Sequence, residues 1–409
     1  MADVGLVDLD TWAGGVPYEA FDTLRSAGPV QRHVNSAGRD FWAVTGHAEL
    51  VEASRDTARF LCTVNNSASD QFPVGGELDE IGRAMTDQMH QMMHMMNGTE
   101  HTRLRGLVSR AFTSRVIARL EDSTRELARS IIAGVADKDE FDFVHEVSAE
   151  LPLSVICDLM GIPATDKPLI FELTNRMMGP NDPEYSASVE DAQSAVAELY
   201  AYAAQLAVER RKKPGSDLTS LLLQAEVDGE KLTDAEYLAF FQLLSAAGNE
   251  TTRNLISHGM LALMRHPDQR AALRQDHALI PRAVEEMLRW GTPVIHFARD
   301  AAQDTVFGGQ QIAAGDKIVL WYAAANRDPA VFSDPYRFDI RRDPNPHVAF
   351  GGGGPHFCLG ASLARMEARV MFEELFSLLP DLELAGETSV LRSNMFHSIK
   401  HLPVRAERS

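Results

Sequence analysis

Cysteine is scarce in this 409-residue chain. There are three, Cys62, Cys157 and Cys358, and their spacing matches neither a disulfide framework nor a zinc motif. Basic residues are also in short supply: 39 Lys plus Arg stand against 58 Asp plus Glu, a formal charge of −19. So acidic a chain repels nucleic acid and anionic bilayers on average, and no nucleic-acid partner is expected. No uncharged apolar run approaches the roughly 18 residues needed to cross a bilayer. The opening MADVGLVDLD has no basic stretch followed by an apolar one, so neither a secretory signal nor a membrane anchor is expected. Unpaired thiols fit a reducing, cytoplasmic location. No Gly/Ser-rich or Pro-rich linker, repeat or low-complexity tract divides the chain, and residues 1–409 read as one folded unit. Hydrophobic residues make up 45%, enough for a large core.

The periodicity is mostly helical. A short hairpin is predicted from Pro29 to Val34, turning at Asn35–Gly38 and returning through Phe41 to Val44. An irregular stretch rich in Gly and Met follows, from about Gly75 to Gly98. Helical patterns then cover roughly 100–112, 115–134, 145–160, 166–178 and 187–212. The longest helix starts at Thr233, where Glu236 completes a capping box, and runs to Met264. That is about 30 residues, or about 45 Å. A helix over 281–290, short β segments within 294–321, an extended Pro-punctuated stretch from Asn326 to Pro355 and a last helix over 360–379 complete the expectation.

The segment Phe350-Gly-Gly-Gly-Gly-Pro-His-Phe-Cys358-Leu-Gly360 carries the clearest chemistry. Four consecutive glycines are poor in helix or strand. They suit a backbone that passes close to a large flat object. Cys358 falls just before a helix N-terminus, where unpaired amides and the helix dipole favour a thiolate, the metal-binding form. An ordinary buried cysteine beside a glycine turn is the competing reading, and the Phe-(x)6-His-x-Cys-x-Gly pattern is too specific for it.

This loop resembles the haem-binding loop of the cytochrome P450 family, in which a Cys thiolate holds haem iron. Further motifs fall in family order, so the resemblance covers nearly the whole chain. It implies a mainly α fold, a helical prism with a small β region near the N-terminus. It also implies haem b as cofactor and Cys358 as proximal iron ligand.

The long helix contains Ser245-Ala-Ala-Gly-Asn-Glu-Thr-Thr252. Ala246, Ala247 and Gly248 are small enough to let a planar cofactor approach, although Gly248 costs about 1 kcal/mol against Ala. Glu250 and Thr251 set an acid beside an alcohol, and Thr can distort a helix by bonding back to a carbonyl. Such a pair can relay protons. Read alone, Glu250 could equally be a salt-bridge partner and Thr251 a helix filler. The resemblance assigns the pair to proton delivery during dioxygen activation.

The resemblance also places His101, Arg105, Arg299 and His356 around anionic haem propionates. Asn97-Gly98-Thr99 stands where relatives usually carry Asp-Pro-Pro, which puts the start of the helix bearing His101 in question. Glu286-Met-Leu-Arg289 resembles the family's buried Glu-x-x-Arg pair, to which an arginine resembling Arg337 would be joined; its role is structural.

Met85, Met89, Met92, Met93, Met95 and Met96 cluster with His90 and His94. A soft-metal site is one reading. An adaptable apolar cap is the favoured one. By resemblance this segment covers the distal face of the cofactor. Met177, Met178, Ala246, Val294, Ile295, Met395 and Phe396 are the other expected pocket walls, so an apolar small-molecule substrate is expected. The runs around Asn254 and His347 resemble actinobacterial members that act on sterols, isoprenoids and methyl-branched lipids.

Three cysteines cannot hold an iron–sulfur cluster, and no flavin module is fused. A separate ferredoxin and an NAD(P)H-dependent reductase are therefore implied. Arg103, Arg110, Arg365 and Arg369 are candidates for a basic docking patch, or are simply scattered solvated arginines. The implied reaction is monooxygenation. Peroxide-driven oxidation, and a non-catalytic haem-thiolate sensor or binding protein, are the alternatives.

Overall fold

A computed structural model describes residues 5–35, 38–69, 86–179, 182, 184–227 and 229–406. The helices used below are α1 (Tyr18–Ala27), α2 (His47–Arg55), α3 (Gly98–Ser109), α4 (Ser114–Val135), α5 (Glu150–Met160), α6 (Lys167–Met178), α7 (Val189–Lys212), α8 (Leu218–Gln224), α9 (Asp234–Arg265), α10 (Pro267–Gln275), α11 (Ile280–Gly291) and α12 (Ala361–Leu378). The mainly helical expectation therefore holds. Helices α1, α2, α8 and α10 are seven to ten residues long, too short to show a periodic pattern above their neighbours.

The 32-residue α9 organises the rest. Its start is fixed as the sequence indicates: Thr233 Oγ1 accepts from the Glu236 amide at 3.2 Å, and Glu236 Oε2 accepts from the Thr233 amide at 2.8 Å. It packs against α5, α7, α11 and α12. Being surrounded, it buries residues on nearly every face. Helix α12 lies along α4, and a single large apolar core joins these elements.

The strands β1 (Val30–Val34), β2 (Asp40–Val44), β3 (Phe60–Leu61), β4 (Glu140–Asp142), β5 (His296–Ala301), β6 (Lys317–Trp321), β7 (Leu382–Leu384), β8 (Ser389–Val390), β9 (Ile399–His401) and β10 (Pro403–Ala406) form small sheets. The largest has the order β1-β2-β6-β5-β3. It unites the N-terminal hairpin with the segment at 296–321, pairing β2 with β6 in parallel. A second sheet, β7-β10-β4, and the β8-β9 pair involve the C-terminal residues. The β region is thus not confined to the N-terminus as expected: long-range pairings, invisible to local periodicity, build most of it.

Helix α3 begins at Gly98 without a proline and without a side-chain cap. Asn97 is occupied elsewhere. Its Oδ1 accepts from the Cys62 amide at 2.8 Å and its Nδ2 donates to the Cys62 carbonyl at 2.9 Å, tying α3 to the end of β3.

Candidate active site

The glycine loop is shaped by protein neighbours as much as by any ligand. A Cβ at Gly352 would lie 2.6 Å from Ser54 Oγ, and one at Gly354 would lie 2.6 Å from the Ser54 carbonyl oxygen. The loop presses against the C-terminal turn of α2, and Gly354 also has φ +76°. The expectation that a flat object alone demands the glycines is corrected at these two positions. Gly351 and Gly360 do face open space.

The Cys358 amide donates to the Phe350 carbonyl at 3.0 Å, which closes the loop. Arg365, on the first turns of α12, stacks its guanidinium 4.6 Å from the centre of the half-buried Phe350 ring. Gly360 is the N-cap residue of α12 and leaves the helix amides uncapped by any side chain. Cys358 is accessible, yet its thiol pKa is pushed up by burial, which outweighs the Gly360 amide, Arg105 and Arg365 pulling it down. The helix-terminus effect expected from the sequence is present in the Gly360 and Ala361 amides, which pull the thiol pKa down. Coordination to a cation is what would deprotonate it.

On α9, Ala247 is exposed and Thr251 half-buried, while Asn249, Glu250 and Thr252 are buried. Ala247 and Thr251 share one face, four residues apart. Thr251 Oγ1 donates to the Ala247 carbonyl at 2.7 Å, the back-bond expected of a distorted helix. Gly248 points elsewhere: a Cβ there would lie 2.6 Å from Ile156 Cδ1 of α5. The missing side chain at Gly248 lets α5 pack closely on this turn of α9.

Glu250 is also turned away from the open face. Its Oε1 accepts from Ser398 Oγ at 2.6 Å and from Asn254 Nδ2 at 2.8 Å, and Oε2 pairs with the fully buried Arg253. The acid and the alcohol are adjacent in sequence, but no hydrogen bond joins their side chains among the described residues.

His101, Arg105, Arg299 and His356 do converge. The His101 and His356 rings have centroids 4.0 Å apart, and Arg105 donates to the Phe357 carbonyl. Arg299 is 7% exposed and donates to the Ala298 carbonyl at 2.9 Å, with no carboxylate partner among the described residues. Burial first, then Arg299, His101, Arg105 and His94, pushes the His356 pKa down to about 3. The cations around it, Arg299 and Arg105, thus oppose a further positive charge on His356. His101 is lowered by burial, Arg105 and Arg299, and its buried Nε2 has no hydrogen-bond partner. Two buried or half-buried guanidiniums with no carboxylate partner among the described residues, and an orphaned imidazole nitrogen, form a site for an anion.

Sequence reasoning missed two members of this group. His94 lies beside Arg299 with an orphaned Nδ1, and burial lowers its pKa to about 4. Its ring sits 6.2 Å from that of Phe297, which β5 places two residues before Arg299 and hence on the same strand face. The period-two spacing to Arg299 was the available signal for Phe297.

The expected pocket walls divide. Met85 lies outside the described residues. Met89 and Met92 pack with Met95, Val64 and Ala239 of α9. Met93 and Met96 instead join the main core, and His90 is exposed. These side chains diverge, so the described part of the cluster is not a metal site. Met177 meets α9 through its sulfur, 3.2 Å from Gln242 Nε2. Met178, Ala246, Met395 and Phe396 are half-buried, and Val294 forms a bridge with Phe396. Ile295 is corrected: it is 1% exposed and packs among Trp12, Trp321 and Ala298, in a separate core.

The Glu286–Arg289 pair is fully buried, with bonds of 2.7 and 2.8 Å. The third arginine is Arg342, whose Nε lies 3.2 Å from Glu286 Oε2, and not the expected Arg337. Arg337 is exposed, and its carbonyl accepts from both Arg289 and Arg342. Three of the four candidate docking arginines are neutralised: Arg103 by Glu236, Arg365 by Glu285, and Arg369 by Glu121 and Glu373.

A family model described as Cytochrome P450 matches residues 156–379. The chain belongs to the cytochrome P450 family. It is 44% identical over 417 residues to the methyl-branched lipid omega-hydroxylase of Mycobacterium tuberculosis, covering 99% of this chain and 95% of that one. The steroid C26-monooxygenase of Mycolicibacterium smegmatis is 40% identical, at 98% and 93% coverage. Among solved structures, a Mycobacterium marinum cytochrome P450 in complex with pseudoionone superposes with a TM-score of 0.88 at 40% identity, covering 95% and 94% of the two chains. The chain is accordingly a P450 monooxygenase, and the family implies haem. The residues present fit it: an accessible thiol before α12, an open face on α9 at Ala247 and Thr251, and an anion site at His101, Arg105 and Arg299. No helix among the described residues is long and apolar enough to cross a membrane.

Proposed function

We propose that this P450, acting as one catalytic unit in the cytoplasm, hydroxylates the terminal carbon of a methyl-branched lipid or of a branched steroid side chain. The observation that carries the reading is 44% and 40% identity, over nearly the full length, to two enzymes whose names specify the omega position of a methyl-branched lipid and carbon 26 of a steroid. In steroid numbering carbon 26 is a terminal methyl of a branched chain, so the two names share one chemical target. Thioether and aliphatic side chains at Met89, Met92, Met177, Ala246 and Val294 suit such a chain.

Cys358 would hold the iron of haem b, with His101, Arg105 and Arg299 on its carboxylates. When bound, haem supplies the redox chemistry that activates dioxygen. The chain's own contribution is positioning and protons. Thr251 Oγ1, on the open face, holds a proton that it donates to the Ala247 carbonyl. Glu250 holds its carboxylate among Ser398, Asn254 and Arg253, and a rotation of its side chain would bring Oε1 toward Thr251. The apolar walls orient the substrate's terminal carbon. Electrons would come from a separate ferredoxin and its NAD(P)H-dependent reductase.

The test is product analysis with a surrogate ferredoxin system, using methyl-branched fatty acids, steroids with intact side chains, and terpenoids. Terminal hydroxylation of the first or second group is expected. Turnover driven by peroxide but not by ferredoxin, or products only from compact terpenoids, overturns the proposal.

A further inference from the structure

Away from the thiol and the open face of α9, four side chains from three segments meet beside the three-stranded sheet. Asp142 ends β4. His145 lies three residues on, in a single turn of π-helix over Val144–Ser148. His401 ends β9, and Glu184 lies between α6 and α7. His401 Nδ1 is 2.6 Å from Asp142 Oδ2, and its Nε2 is 2.5 Å from Glu184 Oε1. The rings of His145 and His401 have centroids 5.0 Å apart. One ligand atom from each of Asp142, His145 and His401 falls within 4.8 Å of the others.

His145 is the telling member. It is half-buried, yet it makes no hydrogen bond among the described residues; its contacts are the rings of His401 and Phe171. Its nitrogens are not among the buried atoms that lack a partner, so they stay open to solvent and to a ligand. Beside a carboxylate and a second imidazole, its idle lone pair completes a two-histidine, one-carboxylate donor set.

We propose that Asp142, His145 and His401 bind a divalent transition-metal ion of the zinc or cobalt type, with water as the fourth ligand and Glu184 orienting the far nitrogen of His401. Tetrahedral bonds of about 2.0–2.2 Å place ligand atoms roughly 3.4 Å apart, so side chains already within 4.8 Å need only small rotations to close on an ion. Two imidazoles select such ions over magnesium or calcium, which prefer all-oxygen shells. Asp142 supplies the negative charge that faces the ion, while Lys400 pairs with Glu184 at 2.6 Å and with Asp182 at 3.1 Å.

The site has a structural reach. His401 and Ser398 stand at opposite ends of one short segment, and Ser398 bonds Glu250. Glu184 belongs to the connection between α6, which carries Met177, and α7. A bound ion would clamp that connection to the strand that positions Glu250.

The experiment is calorimetric titration of metal-stripped, haem-loaded protein with zinc, cobalt or magnesium chloride. Haem keeps Cys358 out of the reaction. One equivalent of zinc or cobalt and none of magnesium is expected. His145→Gln, which loses no hydrogen bond, should weaken zinc at least about tenfold, with circular dichroism and the haem spectrum unchanged. Zinc-edge X-ray absorption should show two imidazole ligands in the parent and one in the variant. Absence of stoichiometric zinc, or binding that His145→Gln leaves unaltered, overturns the site. Neither outcome bears on the monooxygenase reading.

Discussion

Glu250 and Ser398, 148 residues apart in the chain, share a 2.6 Å hydrogen bond from the serine hydroxyl to Oε1. With Asn254 on the same oxygen and Arg253 on the other, the acid of α9 is held by the C-terminal strand instead of pointing at its neighbour Thr251. Glu250→Gln keeps the shape and removes the charge. It should slow turnover about 10- to 100-fold with little change in KM, and raise the solvent isotope effect. Ser398→Ala should lower stability by about 1–3 kcal/mol, read by chemical denaturation. An unchanged isotope effect in Glu250→Gln would rule out proton delivery by this residue.

Cys358→Ser exchanges a soft ligand for a hard one at the floor of the loop. The carbon monoxide adduct of the reduced variant should lose the red-shifted Soret band of thiolate ligation, and turnover should fall to background. A retained band would move the ligand elsewhere.

Arg299→Leu and His101→Leu test the anion site. Each removes a donor from a cluster that has no acid of its own, and charge-assisted hydrogen bonds are worth about 1.5–3 kcal/mol each. Haem loss to an acceptor globin should accelerate about tenfold or more, while denaturation of the haem-free protein should change little or improve.

Gly248→Ala places a methyl group 2.6 Å from Ile156 Cδ1. Overpacking should cost about 1–3 kcal/mol. Ile156→Val in the same chain should recover part of the loss, giving a coupling energy above about 0.5 kcal/mol. Independent, additive effects would place Gly248 in contact with something other than α5.

Glu367 on α12 is 1% exposed, its Oε2 lacks a partner, and burial raises its pKa from 4.5 to about 8. The folded state therefore keeps a proton that the unfolded chain releases above pH 4.5. Stability should fall as pH rises through that window, by up to about 1.4 kcal/mol per pH unit, and level off above pH 8. Glu367→Gln should flatten this slope in melting temperatures measured from pH 5 to 8.

The sequence by itself determined the local and the periodic. Thr233 and Glu236 fixed where α9 begins, the glycine-rich run before Cys358 fixed the thiol loop, and apolar periodicity marked the longer helices, because each of these depends on residues within a turn or two. Tertiary structure decided what those residues face. Gly248 meets Ile156, Glu250 bonds Ser398, Arg342 takes the place expected of Arg337, and Ile295 turns into a separate core. His94 joins Arg299, and His401 comes from 256 residues away to meet Asp142 and His145. Side-chain direction and long-range pairing follow from how helices and strands pack against one another, and no spacing along the chain encodes that.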